Sequence, residues 1–229
     1  MIGILIFLAL IPAAIALVMW LQVRSFSSPS LKLSPEDLDD FLPQLKDSER
    51  LNQWASQNGF VWEGCYTLLV MQKIFIAAWR NPSEQGYFCM YFLANRRVYD
   101  FFTLFSKDFS LTSSNSADGN MLPSPPGRYM ESLSDYSLEE LYDRHLASKK
   151  FLIEKCKIPR QSIQKSFEEI FVPSLQQQMA YVKSISWWYL RATYWYFVRR
   201  MTMRNKSVEE QIERGLSVHP QDVLLWSTP

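Results

Sequence analysis

The sequence predicts an α+β protein: an antiparallel meander of four to five strands packed against helices, with an N-terminal transmembrane helix. Three observations predict it. The chain opens on a long uncharged apolar run, continues into aromatic and β-branched runs cut by short turns, and returns to helical spacing in its second half.

No charged side chain occurs between Met1 and Val23. A helix of that length reaches about 35 Å, enough for the hydrocarbon core of a bilayer. Pro12 is tolerated in a membrane helix, and Trp20 falls where an interfacial aromatic belongs. A cleaved secretory signal would carry a basic residue ahead of the apolar run, and none is present. Cutting after the small residues of Ala14-Ile15-Ala16 would also leave Leu17-Val18-Met19-Trp20-Leu21 on the mature chain. Residues 1–23 therefore read as an anchor. Arg24 and Lys32 follow it and no basic side chain precedes it, a bias that keeps the main domain cytoplasmic. Cys65, Cys89 and Cys156 are odd in number, widely spaced and set among apolar residues, which reads as buried thiols in a reducing compartment. A Cys65–Cys89 bridge between neighbouring strands is the less favoured alternative.

Residues 24–33 form a polar linker, and 34–229 one α+β domain. Ser34-Pro35-Glu36-Asp37 combines a cap, a first-turn proline and acids, which predicts a helix to about Lys46. A second helical segment, with Leu51, Trp54 and Ala55 on one face, closes at Asn58-Gly59. Strand-like runs follow at Phe60 to Val70, Ile74 to Arg80, Tyr87 to Leu93 and Val98 to Phe105, with Phe109 to Thr112 as a fifth. Their short connections predict antiparallel neighbours, since parallel pairs need long crossovers. Residues 113–120 read as a loop that Pro123, Pro125, Pro126 and Gly127 continue as extended, unpaired chain. A helix capped by Ser137 or Ser134 runs to about Lys157 and is ended by Pro159. Another starts near Ile163, is split by Pro173, and leads into an aromatic-basic helix over about 174–206.

Function is less legible. With 24 basic against 23 acidic residues the chain has no global field to gather nucleic acid, so no nucleic-acid partner is expected. No nucleophile elbow, glycine-rich phosphate loop or paired-cysteine motif is present, so no catalytic residue, metal or cofactor is assigned. The most unusual stretch holds Trp187, Trp188, Arg191, Trp195, Arg199, Arg200 and Arg204, and no acid lies between Glu169 and Glu209. Aromatics with flanking arginines suit a helix lying in the membrane interface. They equally suit a core helix on the sheet, its arginines paired with Glu36, Asp37, Asp39 and Asp40, and aromatics on several faces incline the reading to the core. The loop with Asp118, Asn120 and Arg128 is the weaker candidate, a ligand loop where it meets the sheet edge. The expected role is an interaction or scaffolding module at a membrane, with the bilayer and an unidentified protein as partners. The alternative is an enzyme acting on a lipid or small molecule, using His145 with Asp143, Glu140 or Asp118 brought together by folding.

Overall fold

The computed structural model describes residues 2–37, 48–70, 72–93, 96–161 and 165–227, and in the first helix the side chains from residue 10 onward, 12 apart. It begins with α1 (Ile2–Phe26). Seven strands follow: β1 (Leu33–Pro35), β2 (Val61–Leu69), β3 (Lys73–Asn81), β4 (Gly86–Leu93), β5 (Arg96–Leu104), β6 (Ser110–Ser114) and β7 (Arg128–Ser132). Between β1 and β2 lies α2 (Ser48–Gln57). After the sheet come α3 (Leu138–Glu154) and α4 (Phe167–Ser184), then α5 (Trp188–Tyr194), a π-helical turn (Trp195–Arg199), α6 (Arg200–Met203), α7 (Val208–Glu213) and α8 (Pro220–Ser227).

The strands lie side by side in chain order, antiparallel except for β6 and β7. The protein is thus α+β with a mostly antiparallel sheet. Successive side chains of a strand point to opposite faces, and the central strands β3 and β4 are apolar on both, so both faces need a cover. On one face Ala77, Trp79, Phe88, Met90 and Phe101 pack against α2 and α3. Trp54 of α2 sets its ring among Phe60, Phe88, Phe101 and Tyr142. On the other face Tyr66, Leu68, Ile74, Ile76 and Cys89 meet Phe167 and Ile170 of α4.

Local chemistry explains the element ends. Gly59 takes φ +78° and Phe60 N–H bonds Ala55 O at 2.8 Å, the left-handed close of α2. Ser137 with Glu140, Ser166 with Glu169 and Ser207 with Glu210 form capping boxes at the starts of α3, α4 and α7. His219 and Pro220 open α8, with Asp222 N–H on His219 O at 3.0 Å.

Several expectations are corrected. Among the described residues the sheet has seven strands, not four or five. Leu33–Pro35 pairs with β2 instead of starting a helix, because Leu33 lies opposite Leu68 and joins its apolar cluster; Glu36 and Asp37 are not helical, and the rest of that predicted helix, 38–46, falls outside the described residues. Arg128–Ser132 is also a strand, parallel to β6, and loop 115–127 supplies the long crossover that parallel pairing needs. Pro173 sits inside an unbroken α4. The aromatic-basic segment is not one helix: α4 ends at Ser184, Trp187 takes a left-handed φ of 57°, and the path resumes as α5. All three cysteines are free, and Cys65 and Cys89 occupy opposite faces of the sheet, which excludes a bridge between them.

Among the described residues no helix is long and apolar enough to cross a membrane. The described side chains of α1 begin at Leu10, and from there to Phe26 the helix rises about 25 Å, against a hydrocarbon core of about 30 Å. The last turns of α1 are docked on the domain, where Val23 packs with Met179, Val182 and Trp188.

Gly127 closes the crossover loop at φ +85°, and a Cβ there would lie 2.4 Å from Asp108 O. Gly215 has a similar φ of +64° with open space around it. Gly215→Ala should therefore cost about 1 kcal/mol, the left-handed penalty alone, whereas Gly127→Ala should cost about 2–3 kcal/mol because the backbone must also shift. Urea unfolding of the detergent-solubilised chain measures both; equal losses would contradict the role given to Asp108.

Candidate functional site

Helix α4 does not close down on the sheet along its whole length. Its first turn is fixed, because Glu63 accepts Phe167 N–H at 2.6 Å and Tyr87 Oη donates to Lys165 O at 2.5 Å. Beyond that turn a cavity of about 350 Å³ separates α4 from strands β2 to β7, with loop 115–127 and Phe26 of α1 at its edges. Leu68, Ile76, Phe102, Phe167, Ile170 and Phe171 give it apolar walls. Exposed Asp118 and Gln177 mark its mouth.

Polar groups enter this cavity from neighbouring strands. Asp100 lies opposite Cys89 on β4 and Ser114 on β6, and all three line the space with Tyr91. Asp100 and Tyr91 keep some accessible surface although both lie deep in the molecule, since what they face is the cavity. Burial pushes the Asp100 carboxyl up to about 6, against hydrogen bonds from the Ser114 and Tyr91 hydroxyls that pull it down. Its Oδ1 has no hydrogen-bond partner. Burial also holds the Cys89 thiol and Tyr91 phenol protonated, well above their ordinary values.

Of the three residues expected in a ligand loop, Asp118 and Arg128 line the cavity and Asn120 does not. Asn120 is buried, with its side-chain amide on Met130 O at 3.3 Å and its carbonyl accepting from Trp195 Nε1 at 3.1 Å. Arg128 donates to Ser110 Oγ at 3.5 Å, Lys107 O at 3.2 Å and Gln177 Oε1 at 2.5 Å. Sequence reading missed Asp100, although a signal was there: it is the lone acid in Val98 to Phe105, at the same strand parity as Val98 and Phe102.

His145 lies elsewhere, sealed between sheet and α3 and 3% exposed. Its ring is 5.9 Å from that of Phe101, and it is not among the residues lining the cavity. Both nitrogens are taken, Nε2 by Thr103 Oγ at 2.8 Å and Nδ1 by Ser113 Oγ at 2.9 Å. Ser113 spends its proton on Glu131 Oε2 at 2.6 Å, so Nδ1–H is the donor. Burial keeps the ring neutral, which leaves Nε2 to accept from Thr103. Ser148 Oγ at 2.5 Å and Val208 N–H at 2.8 Å complete the Glu131 carboxylate. Glu131 was missed because β7 was not recognised. Of the carboxylates considered as partners for His145, Glu140 caps α3, Asp143 is exposed and Asp118 pairs with Arg200. The network ties β5, β6, β7, α3 and α7 together, a structural task.

The aromatic-basic segment lies on the surface beside α1. Helix α5 packs along α1, and Met19, Val23 and Ala192 are buried. Trp187, Leu190, Tyr194, Phe197 and Met201 face outward at 45–64% exposure, and Leu17, Val18 and Leu21 of α1 are exposed too. Trp188 packs on the Val23 cluster and Arg191 is exposed. Arg199 donates to Leu216 O and stacks 5.8 Å from Trp195. Arg200 pairs with Asp118 and lies 4.0 Å over Tyr196; Arg204 reaches Ser134 Oγ at 2.9 Å and Asp135 at 3.6 Å. These partners replace the acids expected near the N-terminus. Glu36 instead binds Thr67 and Lys73, while Asp39 and Asp40 fall outside the described residues.

No known protein family matches the chain, nor does any curated protein or solved structure.

Burial depresses His145 to about 3. The unfolded chain, with an ordinary value near 6.5, takes up this proton where the folded chain refuses it. Stability should thus be lost as pH falls from about 6.5 towards 3, by roughly 1.4 kcal/mol per pH unit. Asp100, shifted upward, slopes the other way, so the test is a difference: wild type minus His145→Asn, from urea unfolding between pH 7.5 and 4. A difference that does not vary with pH would show the ring to be charged or exposed.

Proposed function

We propose that this chain is an interaction module held at a membrane, with α1 inserted and the aromatic segment from Trp187 to Met201 lying at the headgroup level. The observation that carries this reading is the shared surface of the two elements. A 25-residue helix without a charge before Arg24 packs its C-terminal turns against a segment that turns tryptophan, tyrosine, phenylalanine and leucine to the outside. Single exposed apolar residues are ordinary, but two adjoining helices exposing them together need a non-aqueous neighbour. Tryptophan and tyrosine with arginines beside them match the interfacial zone, where rings are amphipathic and basic groups meet lipid phosphates. Arg24 stacks 5.3 Å from the Trp20 ring, on the edge of the same surface.

Docking of α1 at Met19 and Val23 leaves about 16 residues of it to enter the bilayer, so the apolar side of the aromatic segment supplies the remaining depth. Orientation follows the charges: Arg24 and Lys32 follow the apolar run and favour a cytoplasmic domain, with which three free thiols accord. A protein partner would use the surface left above the membrane. The enzyme reading finds no support in His145, whose nitrogens are both occupied in a closed site.

The reading is tested with nitroxide labels at Leu190 and, separately, Glu209 in the full chain reconstituted in anionic vesicles. Leu190 is expected to be more accessible to oxygen than to a water-soluble nickel complex, and Glu209 the reverse. Equal nickel access at the two positions, or extraction of the chain by carbonate, would overturn it.

A further inference from the structure

Among the described residues five side chains carry a buried polar atom without a hydrogen-bond partner, and of them Asp100 alone lines the cavity. Asp100 is held among the strands of a hydrophobic sheet beside the Ser114 and Tyr91 hydroxyls, and its Oδ1 has no hydrogen-bond partner. An unpaired buried oxygen of a charged group destabilises the folded state, and proteins keep such groups chiefly where a ligand completes them. Glu131, on the closed face, is the contrast: three donors surround it.

The surroundings of Asp100 restrict what can complete it. Leu68, Ile76, Phe167, Ile170 and Phe171 offer a slot without charge, suited to an alkyl or isoprenoid tail. At the head, an anion would meet like charge, and an alcohol would donate one hydrogen bond while leaving the buried charge unneutralised. An ammonium supplies both donors and charge. Arg128, the cation among the residues lining the cavity, already gives N–H donors to Ser110, Lys107 O and Gln177, which leaves its fork poorly placed to receive a fatty-acid carboxylate.

We propose that the cavity beneath α4 binds a single-chain lipid or lipid-like molecule with an amine head, its tail between α4 and β2–β4 and its ammonium on Asp100. Entry is by loop 115–127, which Asp118–Arg200 and Asn120–Trp195 tie to the aromatic segment. The site stands independently of membrane attachment, since a water-soluble amine of the same shape would fill it equally. The titratable groups facing Asp100 are the Cys89 thiol and Tyr91 phenol of β4, both protonated; Ser114 faces it from β6, and the cavity side of α4 brings Phe171, Ser174 and Gln178, none of them charged. Asp118 and Arg128 are the charged groups on the remaining walls.

The test uses the full chain in maltoside micelles with n-octylamine, n-octanol or n-octanoate. Octylamine is expected to raise the thermal midpoint saturably at pH 7.5, more than octanol does, with octanoate giving no shift. If only the ionised Asp100, with its value near about 6, accepts the ammonium, the apparent affinity falls about tenfold at pH 5. Asp100→Asn, which is isosteric, should fold and lose the response to the amine. In the wild type, octylamine should also move the carboxyl carbon-13 titration of Asp100 to lower pH. An unmoved titration, or Asp100→Asn responding like the wild type, overturns the proposal. So does a larger shift with octanoate that Arg128→Gln removes, which would make the ligand an anionic amphiphile.

Discussion

The architecture depends on a sheet that is apolar on both sides. In β3 and β4 the backbone pairing sends Ala77, Trp79, Phe88 and Met90 one way and Ile74, Ile76, Tyr87 and Cys89 the other, so neither face can be left to water. Every later element answers that requirement. α2 and α3 cover the first face with interlocked rings around Trp54 and Phe101. α4 covers the second face with Phe167, Ile170, Phe171 and Leu175 but does not fill the space above it, and what is left is the cavity. One layer is a core and the other a container.

The two buried carboxylates express the same division. Glu131 sits on the closed side, where Ser113, Ser148 and the Val208 amide satisfy it and link it through Ser113 to a neutral His145. Nothing there can exchange with solvent or substrate, and the network fixes how α3 and α7 meet the sheet. Asp100 is on the open side, where its Oδ1 has no partner; burial raises its affinity for a proton, as it does for Glu131. Low dielectric makes the first arrangement rigid and the second reactive towards any donor that fits.

The cavity and the exposed aromatic segment are mechanically joined. Loop 115–127 forms the cavity lip and also receives Arg200 on Asp118 and Trp195 on Asn120, while Phe26 at the end of α1 lines the same space. Gly127 anchors the loop where any side chain would collide with Asp108. A displacement of the aromatic segment by a bilayer would therefore be transmitted to the lip by a few short contacts.

Local patterns read directly from the chain were those whose causes are local. The opening apolar helix, the aromatic and β-branched strand runs from Val61 to Leu104, the left-handed close at Gly59 and the cap at Ser137 each depend on residues within a turn or two. Leu33–Pro35 and Arg128–Ser132 became strands because distant partners, Leu68 and the β6 backbone, offered pairing that outweighed a capping signal and a proline-rich approach. The aromatic segment had the composition of a core helix and of an interfacial one alike. Only the prior coverage of the sheet by α2, α3 and α4 decided that it would remain outside. Likewise Asp100 was visible as a lone acid in an apolar strand, but its unpaired oxygen exists because α4 stands off the sheet, a distance set by side chains far apart in sequence. Sequence determined which segments were apolar and with what period; tertiary structure decided which apolar surface stayed uncovered, because burial is a contest among all segments for the same faces.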